Sequence, residues 1–138
     1  MQEYGIEVIR CSTEALQVPD STFEYGFAME VIEHTESPLV ALKELARVCT
    51  KGIFVSIPLW NNSHVVKKVN EKEVPTHHIF ELFPQDFRHL ASHAGLQIEA
   101  HREFTFFDSG WGGERLLRHH YGFDRPEIII FYLKSRIC

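Results

Sequence analysis

The sequence has no excess of positive charge, no long apolar run and no paired cysteines. Lys and Arg number 14 against 19 Asp and Glu, and the net charge of -5 gives no broad basic field of the kind that a phosphate backbone demands. Nucleic acid is therefore not an expected partner. The longest apolar runs, such as Ile128 to Leu133, fall far short of the ~20 residues that a membrane-spanning helix requires. Met1 to Arg10 is interrupted by Glu3, Glu7 and Arg10, so it holds no signal-peptide core, and a cytoplasmic location is expected. Cys11, Cys49 and Cys138 are odd in number and widely spaced, with neither a CxxC pair nor a disulfide framework among them. They are expected to be reduced.

What the chain does have is 138 residues at 44% hydrophobic content, enough for one core and one domain over residues 1–138. Gly5 to Cys11 reads as a short strand, Leu16 to Thr22 as a turn, and Phe23 to Met29 as a buried strand. Ser37-Pro38 starts a helix, because serine can cap free N–H groups and proline loses nothing in the first turn. Leu39, Leu42, Leu45, Ala46 and Cys49 then recur at helical spacing, with Lys43, Glu44 and Arg47 off the stripe. Gly52 is read as ending that helix and opening a second buried strand, Ile53 to Ile57, closed by Pro58. Two buried strands joined by a helix predict a right-handed parallel crossover, hence an α/β fold.

Asn61 to His78 shows no clear period and reads as a surface excursion. Phe83 to Ala94 reads as a helix with Phe87, Leu90, Ala91 and Ala94 inward and Gly95 as its stop. Leu96, Ile98 and Ala100 alternate with Gln97, Glu99 and His101, the pattern of an edge strand, whereas Ile128 to Leu133 is apolar throughout and reads as interior. The last strand is thus expected to insert between the parallel pair and the edge, antiparallel to its C-terminal partner. A short helix is expected over Glu114 to Tyr121.

Ser12 to Leu16, Pro19 to Glu24, Met29-Glu30-Val31-Ile32-Glu33-His34, Glu44 to Val48 and Gly52 to Pro58 stand in the order and spacing of the small-molecule class I S-adenosylmethionine-dependent methyltransferases. The sequence resembles most closely their type 11 group, which includes ubiquinone- and menaquinone-pathway enzymes. The resemblance is strong over Val8 to Pro58 and loose over Ile79 to Leu96. It implies a Rossmann-like sheet, mostly parallel with an antiparallel C-terminal pair and helices on both faces. It also implies S-adenosylmethionine as cofactor and a small-molecule methyl acceptor.

In that family an acidic residue hydrogen-bonds the adenine amino group and its neighbour offers a backbone N–H to the ring; Ser12 and Thr13 stand at those places. Serine can accept the bond but lacks the charge that strengthens it. Met29 resembles the position that lines the cofactor crevice, at the carboxyl end of its strand where open α/β sheets bind ligands. Glu30 joins it as a cofactor-site candidate, and it and Glu33 either face the site or sit on an exposed loop. His34 is the catalytic candidate, as general base or substrate-orienting group, with stabilisation of the helix start as the plainer reading.

The family's glycine-rich loop and its ribose-binding acidic residue have no counterpart, and Gly110-Trp111-Gly112-Gly113 comes too late to serve. The sequence is therefore expected to begin just before the third strand of the family fold, as the C-terminal portion of a truncated domain. The strand ending near Met29 should then have an open edge, covered by Ile6 to Arg10, by a second copy in a homodimer, or by aggregation. A non-catalytic remnant serving as a binding or dimerisation module is the alternative to an enzyme.

Nine histidines raise the question of a metal. His89 and His93 have the i, i+4 spacing of two ligands on one helix, but they fall opposite Phe87, Leu90 and Ala94 and no third ligand accompanies them. His77-His78 and His119-His120 are adjacent pairs whose side chains diverge, so no metal site is expected. Trp60, Trp111, Tyr121 and Phe123 lie beyond the strand ends, as packing plugs or as a substrate lid.

Overall fold

The computed structural model describes residues 5–59, 66–69, 72–75, 79–80, 82–104 and 128–135. The expected parallel strand-helix-strand connection is present. Strand β1 (Phe23–Met29), helix α1 (Pro38–Val48) and strand β2 (Cys49–Pro58) form a βαβ unit with β1 and β2 parallel, in register from Tyr25 opposite Gly52 to Met29 opposite Ser56. The hairpin β3 (Val66–Val69) and β4 (Lys72–Pro75), helix α2 (Pro84–His93) and strands β5 (Leu96–Phe104) and β6 (Ile128–Ser135) follow. The main sheet runs β1-β2-β6-β5, with β6 antiparallel to both neighbours. The unbroken apolar strand is thus the inserted one, and the alternating strand is the edge.

Alternation across each strand sorts the sheet into two faces. On one, Ala28, Ile53, Val55, Ile57, Ile129, Phe131 and Leu133 are buried under Ala41 and Leu42 of α1 and Phe87 and Ala91 of α2. Both described helices lie on this face; the helix expected over Glu114 to Tyr121 falls outside the described residues. The other face carries an aromatic row. Phe27 stacks on Phe54 at 5.0 Å, and Phe54 on Tyr132 at 4.8 Å.

Gly52 lies inside β2 rather than at a helix stop. A Cβ there would collide with the Tyr132 ring, which is itself held against Phe54, so glycine is required by close approach of a neighbour across the sheet. Gly52→Ala should therefore cost about 1–3 kcal/mol through overpacking, read as a lower urea midpoint with an unchanged slope. The α1 helix ends at Val48, with Cys49 already extended. Gly95 does act as expected: at φ +77 just after α2 it takes the left-handed conformation that closes a helix, and its N–H bonds the Ser92 carbonyl at 3.1 Å.

Three expectations fail. Phe23–Met29 is a strand but not a buried one: only Ala28 is buried, because β1 is the edge of the described sheet and its other face carries no described helix. Residues 6–11 form no strand, and Ile6, Val8 and Ile9 are 64%, 62% and 45% exposed, so this segment does not cover the β1 edge. Its β-branched composition finds no sheet partner, and propensity without pairing makes no strand. The segment after β2 contains the β3–β4 hairpin, whose Val-Lys-Lys-Val and Lys-Glu-Val-Pro runs lack the alternation that would have announced it. No described helix is long and apolar enough to cross a membrane.

Candidate functional site

Parallel β1 and β2 end side by side, and the residues that follow β1 turn sharply. Met29, the last residue of β1, is 45% exposed opposite Ser56. Glu30 then adopts φ +53, a left-handed conformation that costs an L-residue about 1 kcal/mol or more. Two reciprocal hydrogen bonds hold it there. The Glu30 N–H donates to Ser56 Oγ at 2.8 Å, and the Ser56 hydroxyl donates to Glu30 Oε1 at 2.7 Å. Burial pushes the Glu30 carboxyl above the usual carboxylate range, against the opposing pull of Ser56 and His34. Ser56, fully buried and with its hydroxyl taken up in these two bonds, thus serves to fix the backbone at the strand end.

A single 3-10 turn over Ile32–His34 follows. His34 is exposed, whereas Glu33 is fully buried and neither of its carboxyl oxygens has a hydrogen-bond partner among the described residues. Glu33 does not belong to an exposed loop, which corrects that reading. Its main-chain carbonyl accepts the N–H groups of Ile79 at 2.9 Å and Phe80 at 3.1 Å, tying the approach to α2 onto this turn. Burial raises the Glu33 carboxyl, opposed by its own backbone N–H and by His34, with Glu30 adding to the rise.

Ser12 and Thr13 sit in a tight turn. The Ala15 N–H bonds the Ser12 carbonyl at 3.1 Å, and Ser12 Oγ accepts the Glu14 N–H at 3.2 Å. One acceptor position of that hydroxyl is therefore used locally. Glu14 Oε1 accepts the Ser37 N–H at 2.9 Å, immediately before α1. Ser37 makes no side-chain cap of its own; the Glu14 carboxylate, beside the positive end of the helix dipole, supplies acceptor and charge instead.

That contact fixes where the candidates stand relative to one another. The helix that follows β1 begins at the carboxyl end of the sheet, and Glu14 is bound at its start. The chain then runs along α1 to Arg47 in its last turn, a helix length of about 15 Å, before Ser21 bonds the Arg47 carbonyl at 2.9 Å and β1 begins. Ser12, Thr13, Met29, Glu30 and His34 therefore share the carboxyl end of the parallel pair, the end at which open α/β sheets take ligands.

Sequence reasoning gave no site role to Ser56, which holds Glu30 at this end, nor to Glu44 and Arg47, which hold residues 16–18 against the later turns of α1. Glu44 and Arg47 have the i, i+3 spacing that marks a helix pair; nothing local marks their long-range partners. His89 and His93 are exposed on α2, and no group of three or more His, Cys, Asp or Glu among the described residues is arranged to hold a metal ion. His77, His78, His119, His120, Trp60, Trp111, Tyr121 and Phe123 lie outside the described residues.

Residues 1–57 match a family described as a methyltransferase domain. No curated protein matches the sequence. The structure is similar to an S-adenosylmethionine-dependent methyltransferase from Mesorhizobium loti, with a TM-score of 0.66 and 12% identity over 98% of this chain and 72% of that one. It is similar to another from Aquifex aeolicus, with a TM-score of 0.60 and 15% identity over 94% of this chain and 55% of that one. The cyclase SpnF gives a TM-score of 0.63 and 15% identity over 93% of this chain and 56% of that one. The chain thus spans little more than half the length of the last two. Likeness at such identities is likeness of fold, and a cyclase among the neighbours shows that one fold hosts more than one reaction. The chain carries the α/β fold shared by S-adenosylmethionine-dependent methyltransferases.

Proposed function

We propose that this chain is part of a methyltransferase that takes S-adenosylmethionine at the carboxyl end of β1 and β2 and transfers its methyl group to a small-molecule nucleophile. The observation that carries this reading is the Glu14 to Ser37 bond, which sets the Ser12–Thr13 turn at the same end as Met29 and Glu30. Both segments fall within the family match over residues 1–57. Ser12 and the Thr13 backbone would meet the adenine, with Met29 and Glu30 lining the crevice. The cofactor supplies an activated methyl group on its sulfonium. The protein's task is then alignment of the acceptor, for which no triad or metal is needed. His34, exposed beside the crevice, is placed to orient the acceptor or take its proton. A cytoplasmic location accords with this chemistry.

Titration calorimetry of the purified chain with S-adenosylmethionine and with S-adenosylhomocysteine tests the reading. Dissociation constants in the micromolar range or tighter are expected. Absence of both heat and thermal shift at saturating cofactor would show that this chain holds no cofactor site of its own.

One observation favours a second reading. Phe23, Tyr25, Phe27 and Met29 of edge strand β1 are each 45% or more exposed, a row on which the β1 edge of a second copy could pair as a non-catalytic dimerisation module. A chain that sediments as a dimer and binds no cofactor would favour this reading over the enzyme.

A further inference from the structure

We propose that Arg47 is the positioning residue for the Ser12–Thr13 turn: its guanidinium, with every N–H engaged, pins the irregular segment that leads away from that turn against α1. This rests on the cofactor reading above. Nε donates to Glu44 Oε1 at 2.8 Å and one terminal nitrogen to Glu44 Oε2 at 2.8 Å, a two-point pairing of planar groups. The same terminal nitrogen donates to the Leu16 carbonyl at 3.0 Å. The other donates to the Val18 carbonyl at 2.9 Å and to Asp20 Oδ1 at 2.7 Å. These are all five donors that a guanidinium possesses.

Glu44 completes the clamp, because its Oε2 also accepts the Leu16 N–H at 2.9 Å. Leu16 thus has both its backbone groups held by one Glu-Arg pair four residues beyond Ser12. A lone surface ion pair would contribute little. Here the pair takes the place of a sheet or helix partner for residues 16–20, which have neither. Together with Glu14 on Ser37, it leaves the Ser12–Ala15 turn suspended between two fixed points on α1.

Loss of one anchor would leave the turn sampling several arrangements, of which the cofactor can use a fraction, and apparent affinity falls by that fraction. Arg47→Met keeps the aliphatic stem and removes all five donors. Arg47→Lys keeps the charge and, as a milder change, protects against an uninformative loss of folding; it lacks the planar fork. Both are predicted to speed amide exchange at Ala15 and Leu16 selectively, with exchange in β2 and β6 little changed. Both are also predicted to weaken S-adenosylhomocysteine binding roughly ten-fold, a usable fraction near one in ten.

Exchange that accelerates evenly through β2 and β6 would mean a general stabilising role and would overturn the proposal. So would unchanged cofactor affinity in a variant whose turn has loosened. A wild-type chain that binds no S-adenosylhomocysteine would instead defeat the cofactor reading, and the positioning role with it, while the exchange measurement would still decide whether the clamp exists.

Discussion

Phe131→Ala should lower the unfolding free energy by about 3–5 kcal/mol, the range for an aromatic removed from a core that cannot collapse onto the space. Phe131 is fully buried in β6, between Val55 of β2 and His101 of β5. Its ring stacks on Phe87 of α2 at 4.6 Å, with the Arg88 guanidinium 5.5 Å from its centroid and the His101 ring at 5.9 Å. One side chain therefore joins the centre of the sheet to α2. The surrounding groups belong to paired strands and a helix, so they cannot move in to fill the void. Against a net stability of about 5–15 kcal/mol for an ordinary domain, the loss would leave the variant largely or wholly unfolded in mild denaturant. Phe131→Leu, which keeps most of the volume, should cost under about 1.5 kcal/mol. Urea midpoints of the two variants against wild type are the measurement, and a Phe131→Ala cost below 1 kcal/mol would mean that α2 does not rest on this ring.

That junction was legible before any coordinates, and the reason is local. Ile128 to Leu133 carries no charged residue and only the Tyr132 hydroxyl as a side-chain polar group, a run that suits a strand flanked on both edges. Leu96 to His101 alternates, which suits a strand at an edge. Helical spacing in Leu39 to Ala46 and in Phe87 to Ala94 likewise follows from one covered face. What was not legible depends on partners distant in sequence. Gly5 to Cys11 has strand composition and no strand beside it. Gly52 looks like punctuation until Tyr132, eighty residues later, is seen lying over it.

The site divides in the same way. Met29 and Glu30 could be placed at a strand end because β1 and the following helix were readable from pattern alone. Ser12 and Thr13 were reached through family resemblance; their alignment with Met29 depends on Glu14 reaching Ser37, a contact across 23 positions. Glu33 was misplaced for a physical reason. A carboxylate in a polar run is ordinarily solvated, and no sequence pattern signals that a 3-10 turn will rotate it inward. Glu30 and Glu33, three residues apart, end up as two carboxyl groups of raised pKa beside one histidine. Such concentrations of perturbed groups occur at functional sites more often than elsewhere.

Glu33 also yields the second large effect, one with a definite sign. Its folded pKa lies above 4.5, the unfolded value, chiefly because burial penalises the charged form. Between those two values the folded chain holds more protons than the unfolded chain, so stability falls as pH rises through that window. The contribution is therefore fully present below the unfolded pKa and lost as pH climbs through the folded one. Glu33→Leu keeps a similar volume and removes a buried group whose two oxygens have no partner among the described residues. It should raise stability at neutral pH by about 1–3 kcal/mol, the cost of an unsatisfied buried polar group, with a smaller gain near pH 4.5. Glu30 contributes a pH dependence of the same sign and is retained in the variant, so the slope should shrink and not vanish. Urea midpoints at pH 5 and pH 8 for both chains measure this directly. A variant less stable than wild type at pH 8 would show that the Glu33 carboxyl is paired.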